Sequence, residues 1–206
     1  MFNVEFIKVI IAIIFGYLLG SIPWALVIGK LFYKVDIRTQ GSGNLGGTNA
    51  GRVLGKKAGI SVTILDGLKA FITVIVCYLF IPNATILAGL ACCFGHCFPI
   101  FAGFKGGKAV ATTMGYFAGI SIFVTNHFFY QFVLVVLIFF VLLYLTKIVS
   151  LSSLIAIFSA IIISVILKND IQIIFSFIVL WLFVTYRHKD NIKRIINKTE
   201  KKITWM

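Results

Sequence analysis

Long apolar segments are the feature of this sequence that most constrains its fold. Hydrophobic residues make up 60% of the chain and charged residues 12%, whereas soluble domains average about 45–50% and about 25%. A helix needs about 20 apolar residues to cross the hydrocarbon core of a membrane. The sequence therefore predicts an all-α polytopic membrane protein, folded as a single domain over residues 1–206. The seven predicted transmembrane helices are 4–29, 58–80, 84–101, 109–122, 127–145, 154–167 and 171–186.

Local residues refine three of these boundaries. Pro23 lies inside the first span and is expected to kink it. Serines at 150, 152 and 153 precede the sixth span, and one or two of them are expected to cap its N-terminus. The tail, 187–206, carries isoleucines at helical spacing, which predicts an amphipathic helix on the membrane surface.

The distribution of charge predicts the orientation of the spans. The chain has 19 Lys and Arg residues against 6 Asp and Glu, and in a membrane protein such an excess favours basic loops near acidic lipids over nucleic-acid binding. With seven spans the termini lie on opposite sides, and only Lys8 and Lys168 of the basic residues fall on the N-terminal side. The positive-inside rule then places the N-terminus outside and the C-terminus in the cytoplasm.

A glycine-rich stretch, 41–55, interrupts the apolar pattern with the sequence GSGNLGGTNAGRVLG. Its glycines permit positive φ and a close approach to a ligand. Successive backbone N–H groups in such a segment can form an anion-binding concavity. Arg52, Lys56 and Lys57 place positive charge beside it. The stretch predicts half of a phosphate site, in a connection that spans 30–57.

Two further polar segments are candidates for the same site. Gly106-Gly107 precedes Lys108 and opens the fourth span, and the first N–H groups and the positive dipole end of a helix suit a phosphate. The alternative for this turn is an ordinary solvated basic loop. His188 and Asn191 are i,i+3 neighbours at the end of span seven and can face one ligand, although an ordinary polar helix end would look the same.

Several motif matches are excluded by what surrounds them. The G-x-G-x-x-G at 41–46 lacks the βαβ unit that a dinucleotide site needs. The turn at 104–108 lacks the hydroxyl of a P-loop, because residue 109 is Ala. Asn126-His127 lacks the aspartate of an N-H-x-x-x-x-D box, since residue 132 is Phe. The four cysteines lie in apolar segments without zinc-site spacing, so they are expected to be small buried hydrophobes.

Three blocks in order carry a family resemblance: 20–55, 95–112, and Ser150-Leu151 together with the sequence RHKDNIKR at 187–194. In these blocks the chain resembles the bacterial acyl-phosphate:glycerol-3-phosphate acyltransferases, also called the PlsY family. The resemblance implies a seven-helix protein of the bacterial inner membrane with its active site at the cytoplasmic face. The implied reaction moves a fatty acyl group from acyl phosphate to the sn-1 hydroxyl of glycerol 3-phosphate. The partners are these two substrates and membrane lipids, with no cofactor, no metal and a functional monomer.

The resemblance also implies which residues form the site. Arg52 and Lys108 would clamp phosphate, and His188 and Asn191 would orient the glycerol hydroxyls. The general base is left open between His188 and a substrate phosphate oxygen, and the second is preferred. The expected catalytic residues are Ser42, Arg52, Lys108 and His188. The expected substrate-binding residues are Gly43, Gly47, Thr48, Asn49, Gly106, Gly107, Ser150 and Asn191.

Two other classes of function compete with this interpretation. A transporter or channel for organic anions predicts polar sites near the bilayer midplane and internal repeats, but the chain has no repeat and its polar residues cluster at one surface. A non-catalytic membrane scaffold leaves the polar residues of 41–51 unexplained.

Overall fold

The computed structural model describes residues 4–203, whose regular secondary structure is helical and which contain no β-strand. Short 3₁₀ turns at 37–39, 82–84 and 100–102 and π-helical turns at 120–124 and 129–133 lie between the main helices. The all-α prediction is confirmed. The ten α-helices of the described residues are α1 (Val4–Gly20), α2 (Trp24–Tyr33), α3 (Gly47–Leu54), α4 (Lys56–Phe80), α5 (Thr85–Cys97), α6 (Val110–Gly119), α7 (Leu134–Thr146), α8 (Val149–Ile166), α9 (Ile171–Arg187) and α10 (Lys189–Ile196).

The lengths and composition of these helices fit a membrane protein. Within residues 4–203, five helical segments are long and apolar enough to cross a bilayer, and a sixth qualifies if α9 and α10, bent by 64°, count as one. The segment Val110–Val124 is apolar but shorter. The polytopic fold is therefore confirmed, while the number seven and the orientation of the termini stay predictions.

The helices allow the predicted boundaries at Pro23, in the tail and in the connection 30–57 to be compared with the structure. Pro23 breaks the first span completely, so that α1 ends at Gly20 and α2 starts at Trp24. The amphipathic tail forms α10, but only over eight residues, and 204–206 lie outside the described residues. The predicted connection 30–57 contains a short helix that the sequence did not indicate, α3 over 47–54.

The expected serine caps of the sixth span are also wrong. Helix α8 begins at Val149 behind Ile148, which makes no side-chain capping hydrogen bond. Ser152 Oγ donates to the Ile148 carbonyl (2.9 Å) and Ser153 Oγ to the Val149 carbonyl (2.8 Å). Both hydroxyls therefore bond back along the helix, which satisfies them inside an apolar segment.

The helices fall into two compact units, of which the first ends at Phe123 and the second begins at Val124. The prediction of a single domain stays a prediction. In the first unit, α1 packs on α5 through small residues. A Cβ added at Gly16 would lie 2.2 Å from the carbonyl oxygen of Ala88, and one at Gly20 would lie 2.1 Å from that of Cys92. The two backbones are in direct contact, as is common between helices in lipid, where van der Waals packing drives association.

In the second unit, polar contacts join the π-helical turn 129–133 and helix α9 to helix α8. Gln131 Nε2 donates to Ser164 Oγ (3.1 Å), and Asn169 Nδ2 donates to the same oxygen (2.7 Å). Trp181 Nε1 donates to the carbonyl of Leu154 (3.2 Å), which ties α9 to α8. These bonds satisfy side chains that would otherwise be costly to bury.

Candidate active site

The segment before α3 is held by the side chain of Asn49. Its Oδ1 accepts the backbone N–H of Ser42 (2.9 Å), and its Nδ2 donates to the carbonyl of Gln40 (3.1 Å). Gly41 and Gly43 have φ of 61° and 67°, and a Cβ at Gly41 would lie 2.3 Å from Asn49 Oδ1. Positive φ and lack of a side chain therefore let the loop close around the buried amide.

This brace leaves other polar groups of the segment on the surface. Ser42, Thr48 and Arg52 are all exposed, the last in the final turn of α3. Helix α3 has no side-chain N-cap, and the first N–H groups of a helix have no acceptor within it. Its first turn can therefore offer backbone donors next to the hydroxyls of Ser42 and Thr48.

Glycines fix the position of α3 against α4. A Cβ at Gly47 would lie 2.0 Å from Thr63 Oγ1, and one at Gly59 would lie 2.6 Å from the Cα of Gly51. The glycines at 47 and 51 are helical, so their role is close helix packing rather than a positive φ. Because α3 touches α4 directly, Arg52 is carried on a short but anchored helix.

A nearby arginine is already neutralised. Arg38 donates from Nε to Asp36 Oδ1 (3.0 Å) and from Nη2 to Asp36 Oδ2 (2.6 Å). The hydrogen bonds from the Arg38 side chain hold the pKa of Asp36 well below its ordinary value. This fork-shaped pairing satisfies Arg38 within its own turn, which leaves Arg52 as the arginine of this segment to pair with a substrate.

The turn before α6 uses its glycine amides internally. Gly106 N–H donates to the Cys97 carbonyl (3.2 Å) and Gly107 N–H to the His96 carbonyl (3.1 Å). The expected donation of these two N–H groups to a phosphate is therefore unavailable in this arrangement. Lys108 follows, half-buried, and Ala109 has a φ of 58° before α6 begins at Val110. A left-handed alanine costs energy and is typical of functional sites.

A buried charged cluster lies beneath this turn. Asp66, Lys69 and His96 are 1%, 2% and 6% exposed. Lys69 Nζ is 3.1 Å from Asp66 Oδ1 and 2.8 Å from His96 Nδ1. The i,i+3 spacing of Asp66 and Lys69 inside an apolar span was visible in the sequence, but their meeting with His96 was not. We call these three residues the buried charged cluster.

In the second unit, a glutamate gathers two of the predicted residues. Glu200 Oε1 accepts from Ser150 Oγ (2.8 Å) and from Asn191 Nδ2 (2.5 Å), and Glu200 Oε2 accepts from Arg194 Nε (2.7 Å). Burial alone would raise the pKa of Glu200, but hydrogen bonds from Asn191, Arg194 and Ser150 outweigh it and lower that pKa. Sequence reasoning missed Glu200, for which the signal was one of only two carboxylates, with Asp190, in the basic tail 187–206.

His188 lies at the break between α9 and α10 and is buried. Its Nδ1 lies 2.7 Å from the carbonyl oxygen of Val184. A carbonyl can only accept, so Nδ1 carries a proton and, in the neutral ring, Nε2 is the acceptor nitrogen. A histidine in this tautomer can accept a proton from, or a hydrogen bond of, a hydroxyl group.

No group of three His, Cys, Asp or Glu side chains within residues 4–203 is placed to hold a metal ion. Cys77, Cys92, Cys93 and Cys97 are free and buried, as expected for small apolar residues.

The fold defines a polytopic all-helical membrane protein. Its polar segments include the glycine-rich stretch before α3 and the glycine-rich turn before α6. A family model described as glycerol-3-phosphate acyltransferase matches residues 10–198. Curated relatives of that name are 44% identical in Geobacillus kaustophilus, covering 94% of this chain and 95% of the relative, and 47% identical in Bacillus subtilis, covering 94% and 97%. The chain therefore belongs to the glycerol-3-phosphate acyltransferase family.

Two solved structures have the same fold. They are crystal structures of PlsY, described as an integral membrane glycerol 3-phosphate acyltransferase, in a glycerol 3-phosphate form and a lysophosphatidic acid form. The TM-scores are 0.88 and 0.86 at 36% and 35% identity, and each comparison covers 96% of both chains.

Proposed function

We propose that this chain transfers a fatty acyl group from acyl phosphate to the sn-1 hydroxyl of glycerol 3-phosphate. The hydroxyl oxygen attacks the acyl carbonyl carbon, the bond from that carbon to the phosphate oxygen breaks, and inorganic phosphate leaves with the electron pair. The hydroxyl proton passes to a base. The single observation that carries the proposal is the full-length likeness to the PlsY structure whose form is named for glycerol 3-phosphate.

One group of residues is proposed to contact the phosphates. Arg52 and Lys108 are the clamps, because charge-assisted hydrogen bonds to phosphate are strong. Ser42 and Thr48 donate hydroxyl hydrogen bonds to phosphoryl oxygens. The remaining substrate-binding residues of this group act through shape: Asn49 braces the loop, and Gly43, Gly47, Gly106 and Gly107 admit close packing. The backbone donors come from the first turns of α3 and α6.

A second group of residues is proposed to contact the glycerol hydroxyls. His188 and Asn191 orient these hydroxyls, and Ser150 adds a further hydrogen bond. Glu200 holds Ser150 and Asn191 at a fixed spacing. An acyl phosphate has a good leaving group, so positioning and electrostatic stabilisation are sufficient without a covalent enzyme intermediate. The base is an oxygen of a substrate phosphate, with His188 as the alternative.

We also infer a membrane arrangement of seven spans, with Val110–Val124 as the short one. The excess of basic residues supports a cytoplasmic C-terminus, an external N-terminus and a location in the bacterial inner membrane. On this arrangement the active site faces the cytoplasm, the acyl chain lies among apolar spans beside the membrane lipids, and one chain is functional as a monomer.

The test is an assay of purified protein with acyl phosphate and glycerol 3-phosphate, in the absence of any coenzyme A thioester. Equal amounts of inorganic phosphate and lysophosphatidic acid are expected. Product formation only after a coenzyme A thioester is added would contradict the proposed donor. Flux of glycerol 3-phosphate through proteoliposomes without phosphate release would favour a transporter.

A further inference from the structure

We propose that the buried charged cluster, Asp66, Lys69 and His96, is a positioning device for the turn that carries Lys108. This inference rests on the proposed role of that turn in binding phosphate. Ionisable side chains inside apolar spans are costly and are retained for a purpose. These three residues are not expected to touch a substrate, so their effect must pass through the backbone that they contact.

The contacts of Lys69 define the state of the cluster. Its Nζ meets three acceptors, which are Asp66 Oδ1, His96 Nδ1 and the carbonyl oxygen of Ile22 at 3.2 Å. An ammonium group has three protons, one for each of them. His96 Nδ1, which also lies 3.3 Å from Asp66 Oδ1, is then the acceptor of a Lys69 proton. The neutral ring carries its proton on Nε2, and the charges of Asp66 and Lys69 offset each other.

The ring of His96 lies directly against the turn. A Cβ added at Gly107 would be 2.0 Å from His96 Nε2 and less than 3 Å from two ring carbons. The His96 backbone carbonyl accepts the Gly107 N–H at 3.1 Å. One residue therefore supports the turn from its ring and from its main chain, and the hydrogen bond from Lys69 fixes the ring.

The same lysine also fixes the break in the first span. Lys69 Nζ donates to the carbonyl oxygen of Ile22, which lies at the break between α1 and α2. Lys69 thus joins three elements around one nitrogen atom, namely this break, α4 and the end of α5. A disturbance of the cluster is expected to reach Lys108 through Gly107, only one residue away.

The decisive variant removes both charges together, as Asp66→Asn with Lys69→Met. No unpaired charge is left buried, so the double variant avoids the large cost of breaking a buried pair by removing one partner alone. His96→Gln is the second variant, since it keeps the ion pair and removes the ring. Thr73→Val is the matched control, because Thr73 is buried one turn further along α4 and donates to the Lys69 carbonyl (2.8 Å) rather than to a charged group of the cluster.

The first measurement is amide hydrogen exchange of 103–110 in full-length protein in detergent. Exchange in both test variants is expected to be about 10- to 100-fold faster than in wild type, with no change in the control. The second measurement is steady-state kinetics. The KM for at least one phosphate-bearing substrate is expected to rise by up to roughly 100-fold, with a smaller fall in kcat, since the turn mainly contributes binding.

Unchanged exchange at 103–110 and unchanged KM values in folded variants would overturn the inference. Loss of folded protein in both test variants would also overturn it, because the cluster would then hold the whole fold rather than the turn. If wild-type protein releases no phosphate, the proposed function fails, while the exchange measurement still decides whether the cluster holds the turn.

Discussion

Arg52 and Lys108 reach the surface from different kinds of backbone. Arg52 ends a short helix that is packed on α4 through glycines, whereas Lys108 follows a turn and precedes a left-handed alanine. Both positions restrict the main chain close to the charge. A restricted cation loses less conformational entropy when it binds a phosphate than a free surface lysine does.

Replacing Arg52 or Lys108 with Ala is expected to lower kcat/KM by about 10- to 150-fold, because each change removes a charge-assisted hydrogen bond worth about 1.5–3 kcal/mol. Initial rates of phosphate release measure this effect. Lys105→Ala is the control, since Lys105 is an exposed cation of the same turn. Near-normal turnover in either test variant would remove that residue from the phosphate clamp.

His188→Gln separates the two candidate bases. If a substrate phosphate takes the proton, the variant is expected to change mainly KM and to keep the pH dependence of kcat. A strong fall in kcat with a displaced pH profile would instead identify His188 as the base. Rates measured between pH 5 and pH 9 decide between them, with His127→Gln as the control histidine.

At the scale of elements, a small number of specific contacts holds the Gly106-Gly107 turn in place, and the same is true of the C-terminal segment, 197–203. The turn packs against His96 without space for a Cβ at Gly107, whereas a Cβ at Gly103 of the same turn would meet nothing within 4 Å. The C-terminal segment is tied down by Glu200 and by the hydrogen bond from Ile203 N–H to the Lys147 carbonyl (2.8 Å).

Gly107→Ala is expected to reduce activity severely, because the added methyl group would overlap the ring of His96 and displace Lys108. Gly103→Ala, at a φ of 63°, is expected to cost only the strain of a left-handed alanine, about 1 kcal/mol. Thermal unfolding and phosphate release are measured for both variants. Equal activities in the two would show that the fit against His96 is not required.

Glu200→Gln is expected to lower the melting temperature at pH 7. The difference in melting temperature from wild type is expected to become smaller in acid. The pKa of Glu200 is lowered from its ordinary value of 4.5, so the stabilisation is fully present above that value. It is lost as the pH falls from 4.5 through the lower pKa of the folded state. Melting curves from pH 7 to pH 3.5 measure the difference, with the exposed Asp190→Asn as the control. A difference that grew in acid would contradict this assignment.

The sequence predicted helices well where apolar residues continue over a whole span, and poorly where tertiary contacts determine the local structure. The long spans were visible because burial in lipid requires continuous apolar residues. Helix α3 was missed because glycines lower helix propensity, while here they allow contact with α4. The start of α8 was placed five residues late, since serines that bond back to the helix look like a polar link.

The site residues named from the sequence stay a prediction, and the contacts around several of them could not be predicted. Spacing and the family resemblance pointed to Arg52, Lys108 and His188. The hydrogen bonds of the Asn49 and Glu200 side chains join residues that are 7 to 50 positions apart in the sequence. Such pairings leave no periodic trace in one sequence, so only the folded chain reveals them.

At the scale of the whole molecule, membrane topology is the property that the proposed reaction most requires. Thr39 and Lys105 are exposed in the segments before α3 and α6, and Asn83 is exposed between α4 and α5. All four native cysteines are buried, so they provide a silent background for labelling. Single cysteines at these three positions can therefore report the side of the membrane.

Thr39→Cys and Lys105→Cys are expected to react with a membrane-impermeant maleimide only after the cytoplasmic side is opened. Asn83→Cys is expected to react in intact cells, because it follows one span further along the chain. Labelling of Thr39→Cys and Lys105→Cys from different sides would exclude a common phosphate site for their segments. The extent of modification is read by mass spectrometry.

Main-chain contact between α1 and α5, at Gly16 with Ala88 and at Gly20 with Cys92, ties these helices together through atoms that every amino acid shares. The packing of α1 on α5 therefore depends little on the bulky side chains that point away from this contact. Exchange of the outward isoleucines and phenylalanines of α1 for other apolar residues is therefore expected to leave this helix contact intact, provided that Gly16 and Gly20 stay.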